Sequence, residues 1–173
     1  MNQRAVFLAC VAILGLSSIA MAGFSQGDKE FTLSGGGTSS KDLDANALSA
    51  NASFGYFLTD GLEIAVRQNV AYADPGPHQK DTISGSTRGA LDYNFQFGNF
   101  VPYAGANIGY SYGTNHFHDT WAAAPEVGVK YFVNTTTFLY GQVEYQFFFN
   151  NDNGGDIFNN GQFVYSLGIG FRW

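Results

Sequence analysis

The densest group of chemistry-capable side chains is His116-Phe117-His118-Asp119, with His78 in an earlier turn-rich stretch. Imidazoles two residues apart on an extended chain share a face and suit Zn or Cu. No further ligand follows at a defined spacing, so the three histidines are weak metal candidates and solvated loop residues are the simpler reading. The run Asn150-Asn151-Asp152-Asn153-Gly154-Gly155-Asp156 is oxygen-rich, yet it lacks the full alternating ligand pattern and closing Glu of a calcium loop. Asn, Asp and Gly also dominate ordinary turns. Gly35-Gly36-Gly37 precedes no helix, so it fits close strand packing or a bulge better than phosphate binding. No cofactor is expected.

A second set of ionisable residues is spread along the chain: Glu30, Glu63, Arg67, Arg88, Asp92, Glu126, Lys130, Glu144 and Arg172. Their neighbours alternate. Leu62, Ile64, Val66, Val70 and Tyr72 oppose Glu63, Arg67 and Asn69. Leu91, Tyr93, Phe95 and Phe97 oppose Arg88, Asp92, Asn94 and Gln96. Leu139, Val143, Tyr145 and Phe147 oppose Gln142, Glu144 and Gln146. Period-two alternation is strand periodicity, so each charge sits on the small, amide-rich face of a strand. Five acids and four bases nearly cancel. An unpaired ion in a closed interior costs several kcal/mol, so a balanced set predicts a packed ladder of ion pairs. Glu30 near the start of the first strand and Arg172 near the end of the last are expected to meet across a closing seam.

Eight such strands are predicted, over residues 29–38, 46–58, 62–72, 83–97, 101–112, 121–132, 136–149 and 161–173. Thr59-Asp60-Gly61, Gly98-Asn99-Phe100 and Val133-Asn134-Thr135 read as tight turns that use Gly and Asn for positive φ. The links between them are longer. Alternating long and short connections describe an up-and-down barrel with both termini at the short-turn end. Aromatic residues gather at the two strand ends: Phe95, Phe97, Phe100, Tyr131, Phe138, Phe171 and Trp173 near the turns, and Tyr72, Tyr110, Tyr112, Trp121, Phe147 and Phe163 near the loops. A bilayer's two interfaces select such girdles.

Composition agrees. Only 13% of the 173 residues are charged and 17% are aromatic, against roughly 25% charged in an average soluble domain. A lipocalin-like soluble barrel would carry a Lys- and Glu-rich exterior. The one continuous apolar run lies at the N-terminus, where a basic start, an apolar core and Ala20-Met21-Ala22 read as a signal peptide over residues 1–22, leaving one barrel domain over 23–173. A retained membrane helix is the rival, but the core falls short of the ~20 apolar residues needed to span. Cys10 lies within that core, too early for lipid attachment, and its removal leaves no thiol. The predicted loops are acidic, which argues against nucleic acid as a partner.

The last stretch, QFVYSLGIGFRW, places Tyr165, Leu167, Ile169, Phe171 and Trp173 on one face and ends on an aromatic residue. It resembles the closing strand of bacterial outer-membrane barrels, which the barrel-assembly machinery reads as a C-terminal signal. Phe100-Val101-Pro102-Tyr103-Ala104-Gly105-Ala106-Asn107-Ile108-Gly109-Tyr110 and Gly128-Val129-Lys130-Tyr131-Phe132-Val133 resemble stretches of the OmpA transmembrane domain, the opacity-type adhesins and the general outer membrane β-barrel (porin) family. The resemblance implies an all-β fold, an eight-stranded antiparallel up-and-down transmembrane β-barrel. It would be exported through the periplasm to a Gram-negative outer membrane and surrounded there by lipid and lipopolysaccharide. The peptidoglycan-binding domain of full-length OmpA has no counterpart in this sequence, so cell-wall anchoring is not carried over. Some barrels of this size deacylate lipid A with a His and a Ser two positions apart, but His118 stands where that Ser would be, and no enzymatic activity is expected. Eight strands leave an interior just wide enough for side chains to fill. The expected role is therefore structural or surface-interacting, with an unnamed loop partner. The alternative is a narrow porin-like channel for ions or small solutes.

Overall fold

The computed structural model describes residues 23–39, 46–74, 76, 80–114, 119–149 and 161–173. The expected signal segment, His78, His116, His118 and the Asn- and Asp-rich loop lie outside the described residues. Eight strands form one closed sheet: β1 (Lys29–Ser39), β2 (Asn46–Phe57), β3 (Leu62–Asp74), β4 (Thr82–Asn94), β5 (Phe100–Gly113), β6 (Thr120–Phe132), β7 (Thr137–Phe148) and β8 (Gln162–Arg172). Each pairs antiparallel with the next, and β8 returns to β1. The fold is the eight-stranded antiparallel barrel that the alternation implies.

Its polarity is inverted relative to a water-soluble protein. Leu48 is 61% exposed, Val66 60% and Leu167 78%, whereas Glu63 and Asp92 are 2% exposed and Glu126 3%. Large apolar side chains point out and charged ones in, as in a barrel set in a bilayer. Phe97, Phe100, Phe171 and Trp173 ring the turn end outside, and Tyr110, Tyr112, Trp121 and Phe163 ring the loop end. Phe138 departs from the expected girdle. It is fully buried, because it occupies an inward register position on β7 and packs against Phe24 and Phe132.

The turns use different chemistry from one another. Gly98 adopts φ of 63°, but Gly61 does not enter the left-handed region. The Thr59 hydroxyl instead accepts the Leu62 N–H at 2.9 Å, and Asn134 Oδ1 accepts the N–H groups of Thr136 and Thr137 at 2.9 and 2.8 Å. Side-chain acceptors thus close two turns without positive φ at Gly61. β4 also stops short of Phe97. The Gln96 side chain turns under the barrel, accepting the Phe24 N–H at 3.1 Å and donating to the Asp60 carbonyl at 2.7 Å.

The strand ladders are interrupted in two places. Between β6 and β7 the pairing passes from Ala123↔Phe147 to Glu126↔Glu144, skipping Ala124 and Pro125, the second of which has no N–H to give. Between β1 and β8 the register runs from Glu30↔Arg172 to Ser34↔Gly168. At the turn end it is closed by reciprocal bonds between Lys29 and Trp173. Among the described residues it goes no further, so residues 35–39 and 162–167 flank a split seam at the loop end.

Candidate functional site in the barrel lumen

The turn end of the lumen is sealed by a plug. Phe57, Val101, Phe132 and Phe138 are fully buried there, and Phe24, from the segment before β1, stacks on Phe57 with ring centroids 4.1 Å apart. Hydrogen bonds tie this segment under the barrel: Gln26 N–H to Asp60 Oδ1 at 2.8 Å and Gly27 N–H to the Phe57 carbonyl at 2.9 Å. Lys130 lies directly above. Its ammonium donates to Glu30 Oε2 at 2.6 Å and Glu63 Oε2 at 2.8 Å, and sits within 5.8 Å of the ring centroids of Phe24, Phe57, Tyr103 and Phe138. Two carboxylates and the faces of aromatic rings replace the water a lysine gives up on burial.

Higher in the lumen the ion pairs cross the barrel. In the sheet Arg67 stands directly opposite Arg88, and Glu126 opposite Glu144. Like charges facing each other on adjacent strands repel. Barrel closure relieves both clashes, because it brings β3 and β4 across from β6 and β7. Arg67 donates to Glu126 at 2.5 Å and to Asp92 at 2.6 Å, and Arg88 donates to Glu144 at 2.8 Å. Asn107 joins the two groups, donating to Glu126 Oε2 at 2.6 Å and Glu144 Oε2 at 2.8 Å. Gln142 adds a bond to Glu126 at 2.9 Å and accepts the Tyr103 hydroxyl at 2.9 Å. Gly105, directly across the ladder from Asp92, leaves the room that carboxyl needs; a Cβ there would collide with Asp92 Oδ1.

Above these pairs the described residues leave the lumen hollow. A cavity of about 380 Å³ is walled by Ser, Asn and Gln side chains, floored by Arg67, Arg88 and Lys130, and reaches both flanks of the split seam through Ser34 and Ser166. This corrects the expectation of an interior filled by side chains. The fill runs from the turn end through the ion-pair layer and stops there, because the inward residues nearer the loops, such as Ser34, Ser49, Asn51 and Ser86, are too small to meet across the lumen. Ser34 Oγ and Arg88 Nε find no hydrogen-bond partner among the described protein groups.

All nine ionisable residues singled out from the alternation lie on the inward face. Glu30 and Arg172 are cross-strand partners, but their charges go elsewhere: Glu30 to Lys130, and Arg172 to Asp28 at 3.3 Å. Asp28 escapes the alternation because it precedes the first alternating run. Phe24 escapes it because nothing in a linear sequence says that a residue before the first strand folds back into the lumen. Tyr165, Leu167, Ile169, Phe171 and Trp173, the residues expected to form a C-terminal assembly signal, all lie on the exposed outward face of β8 and its end.

Comparison with solved structures places this geometry. The chain superposes on the outer membrane protein OprG from Pseudomonas aeruginosa with a TM-score of 0.60 and 15% identity, covering 87% of this chain and 98% of that one. Neisserial surface protein A gives 0.55 and 19% identity over 84% and 94% of the two chains. The Yersinia pestis outer membrane protein Ail gives 0.57 and 12% over 86% and 100%. The shared property is the fold. No family model and no curated protein matches the sequence.

Proposed function

We propose that this chain is a non-enzymatic integral barrel of a Gram-negative outer membrane, with a structural or surface-interaction role and no open path through its lumen. The supporting fold likeness is to proteins described as outer-membrane or surface proteins, and the apolar outer belt suits the same setting. The observation that carries the closed reading is the plug, in which Lys130, held by Glu30 and Glu63, rests on Phe24, Phe57 and Phe138. Export through the periplasm, contact with lipid and lipopolysaccharide, and recognition of β8 by the barrel-assembly machinery belong to this proposal. So does a partner for the extracellular loops.

The cavity above the plug favours a second reading, a narrow channel that opens when Phe24 and Lys130 withdraw. Single-channel recording of refolded protein in planar bilayers separates the two. A closed barrel gives no steady current once an unboiled gel shift has shown it folded. Reproducible conductance makes the chain a small channel, and Phe24→Ala should then raise it.

A further inference from the structure

We propose that the hollow at the loop end is a binding site for an uncharged polyhydroxylated group, such as a mono- or disaccharide, and that the split between β1 and β8 lets such a group enter from the surrounding leaflet on an amphiphile. This rests on the closed reading of the lumen only in taking the hollow as a blind chamber.

The size and chemistry of the walls select the class. About 380 Å³ falls within the range of roughly 300–1,000 Å³ usual for small-molecule sites, and barrel mouths are a common place for them. Much of the wall is hydroxyl and amide groups from Ser34, Ser49, Asn51, Ser86, Gln146 and Ser166, and Tyr103 and Tyr140 also line it. Such side chains both donate and accept, as sugar hydroxyls do. A charged ligand fits less well. The cations that reach the chamber, Arg67, Arg88 and Lys130, are each held by a carboxylate, and an anion would have to break those pairs. The acids that line the chamber, Glu30 and Glu144, are held by Lys130 and Arg88 in turn, so a cation would likewise have to break those pairs. Among the lining residues two buried atoms remain unmet: the Arg88 Nε–H seeks an acceptor, which a hydroxyl oxygen supplies without displacing Glu144, and Ser34 Oγ seeks a partner.

The seam supplies a route. β1 and β8 part beyond Ser34↔Gly168, and residues from both flanks line the chamber, including Tyr165, whose side chain is on the outward face and 74% exposed. Leu33, Phe163 and Leu167 flank the opening and are exposed on the outside. A polar head can therefore lie in the chamber while its chain runs out along an apolar surface.

The test uses the refolded chain in phosphatidylcholine nanodiscs, with maltose and submicellar dodecyl maltoside as probes and empty nanodiscs as the blank. The expected result is saturable one-to-one binding of the maltoside, tighter than that of maltose. It should weaken about tenfold in Arg88→Lys, which keeps the charge on Glu144 but loses the Nε–H, as one lost hydrogen bond to a charged donor implies. Ser34→Leu with Ser166→Leu, which fills the chamber at the seam, should abolish it. Asn51→Leu, on the far wall, provides an independent filling variant, and heat-modifiable gel mobility checks that each variant folds. Equal affinity for free maltose would keep the chamber but overturn entry through the seam. Absence of saturable binding, or binding that ignores all the variants, would overturn the site. Conductance of the same preparation would overturn the closed reading and leave the site standing.

Discussion

The turn end and the loop end of this barrel are made from the same eight strands, yet they solve opposite problems. At the turn end large aromatic side chains and a caged lysine fill the lumen, and Lys29 and Trp173 close the seam. At the loop end serines, asparagines and glutamines leave a hollow, and the seam parts. The difference shows where stability and where binding reside. A packed, dry region makes each group depend on its neighbours, whereas a roomy polar one lets each group trade its partners for water or a ligand.

The sharpest way to break this contrast is Lys130→Met. It strands Glu30 and Glu63 in the plug, and removing one partner of a buried ion pair costs about 3–5 kcal/mol. Denaturant unfolding in lipid vesicles, followed by tryptophan fluorescence, should show that loss. Replacing Lys130, Glu30 and Glu63 together by leucine or methionine should restore most of it. Phe138→Ala should cost about 3 kcal/mol, for it leaves a cavity beside Phe24 and Phe132. The same unfolding assay measures it.

Smaller effects sharpen the comparison. Amides of residues 35–39 and 162–167 that point into the seam should exchange hydrogen at least about tenfold faster than those of residues 31–34, read by hydrogen–deuterium exchange in nanodiscs. Equal protection would mean that the seam is zipped. Arg172→Gln removes the ion pair to Asp28, whose side chains are 22% and 23% exposed, and should cost no more than about 1 kcal/mol. Its ratio to Lys130→Met measures how dry the plug is. Ser49→Ala, in the chamber wall, should stay within about 0.5 kcal/mol of the parent.

Strand number, the inward face and the up-and-down order were legible because they are local. Alternation of period two marks a strand wherever it occurs, and short turns between long links set the order. The ion pairs were legible only as a set. Arg67 and Arg88, read along the sheet, are neighbours that repel; only closure of the barrel turns them toward Glu126 and Glu144, residues more than fifty positions away in sequence. Phe24 and Phe138 belong with them. One precedes the strands and the other reads as a girdle aromatic, and their burial depends on how the N-terminal segment folds under a lumen that does not exist until the sheet is closed. Thus periodicity alone determined that this chain makes an inside-out barrel with charges within. Which charges meet, where the lumen is filled and where β1 and β8 part were decided by the curvature and register of the closed sheet, which bring together groups that no spacing in the sequence relates.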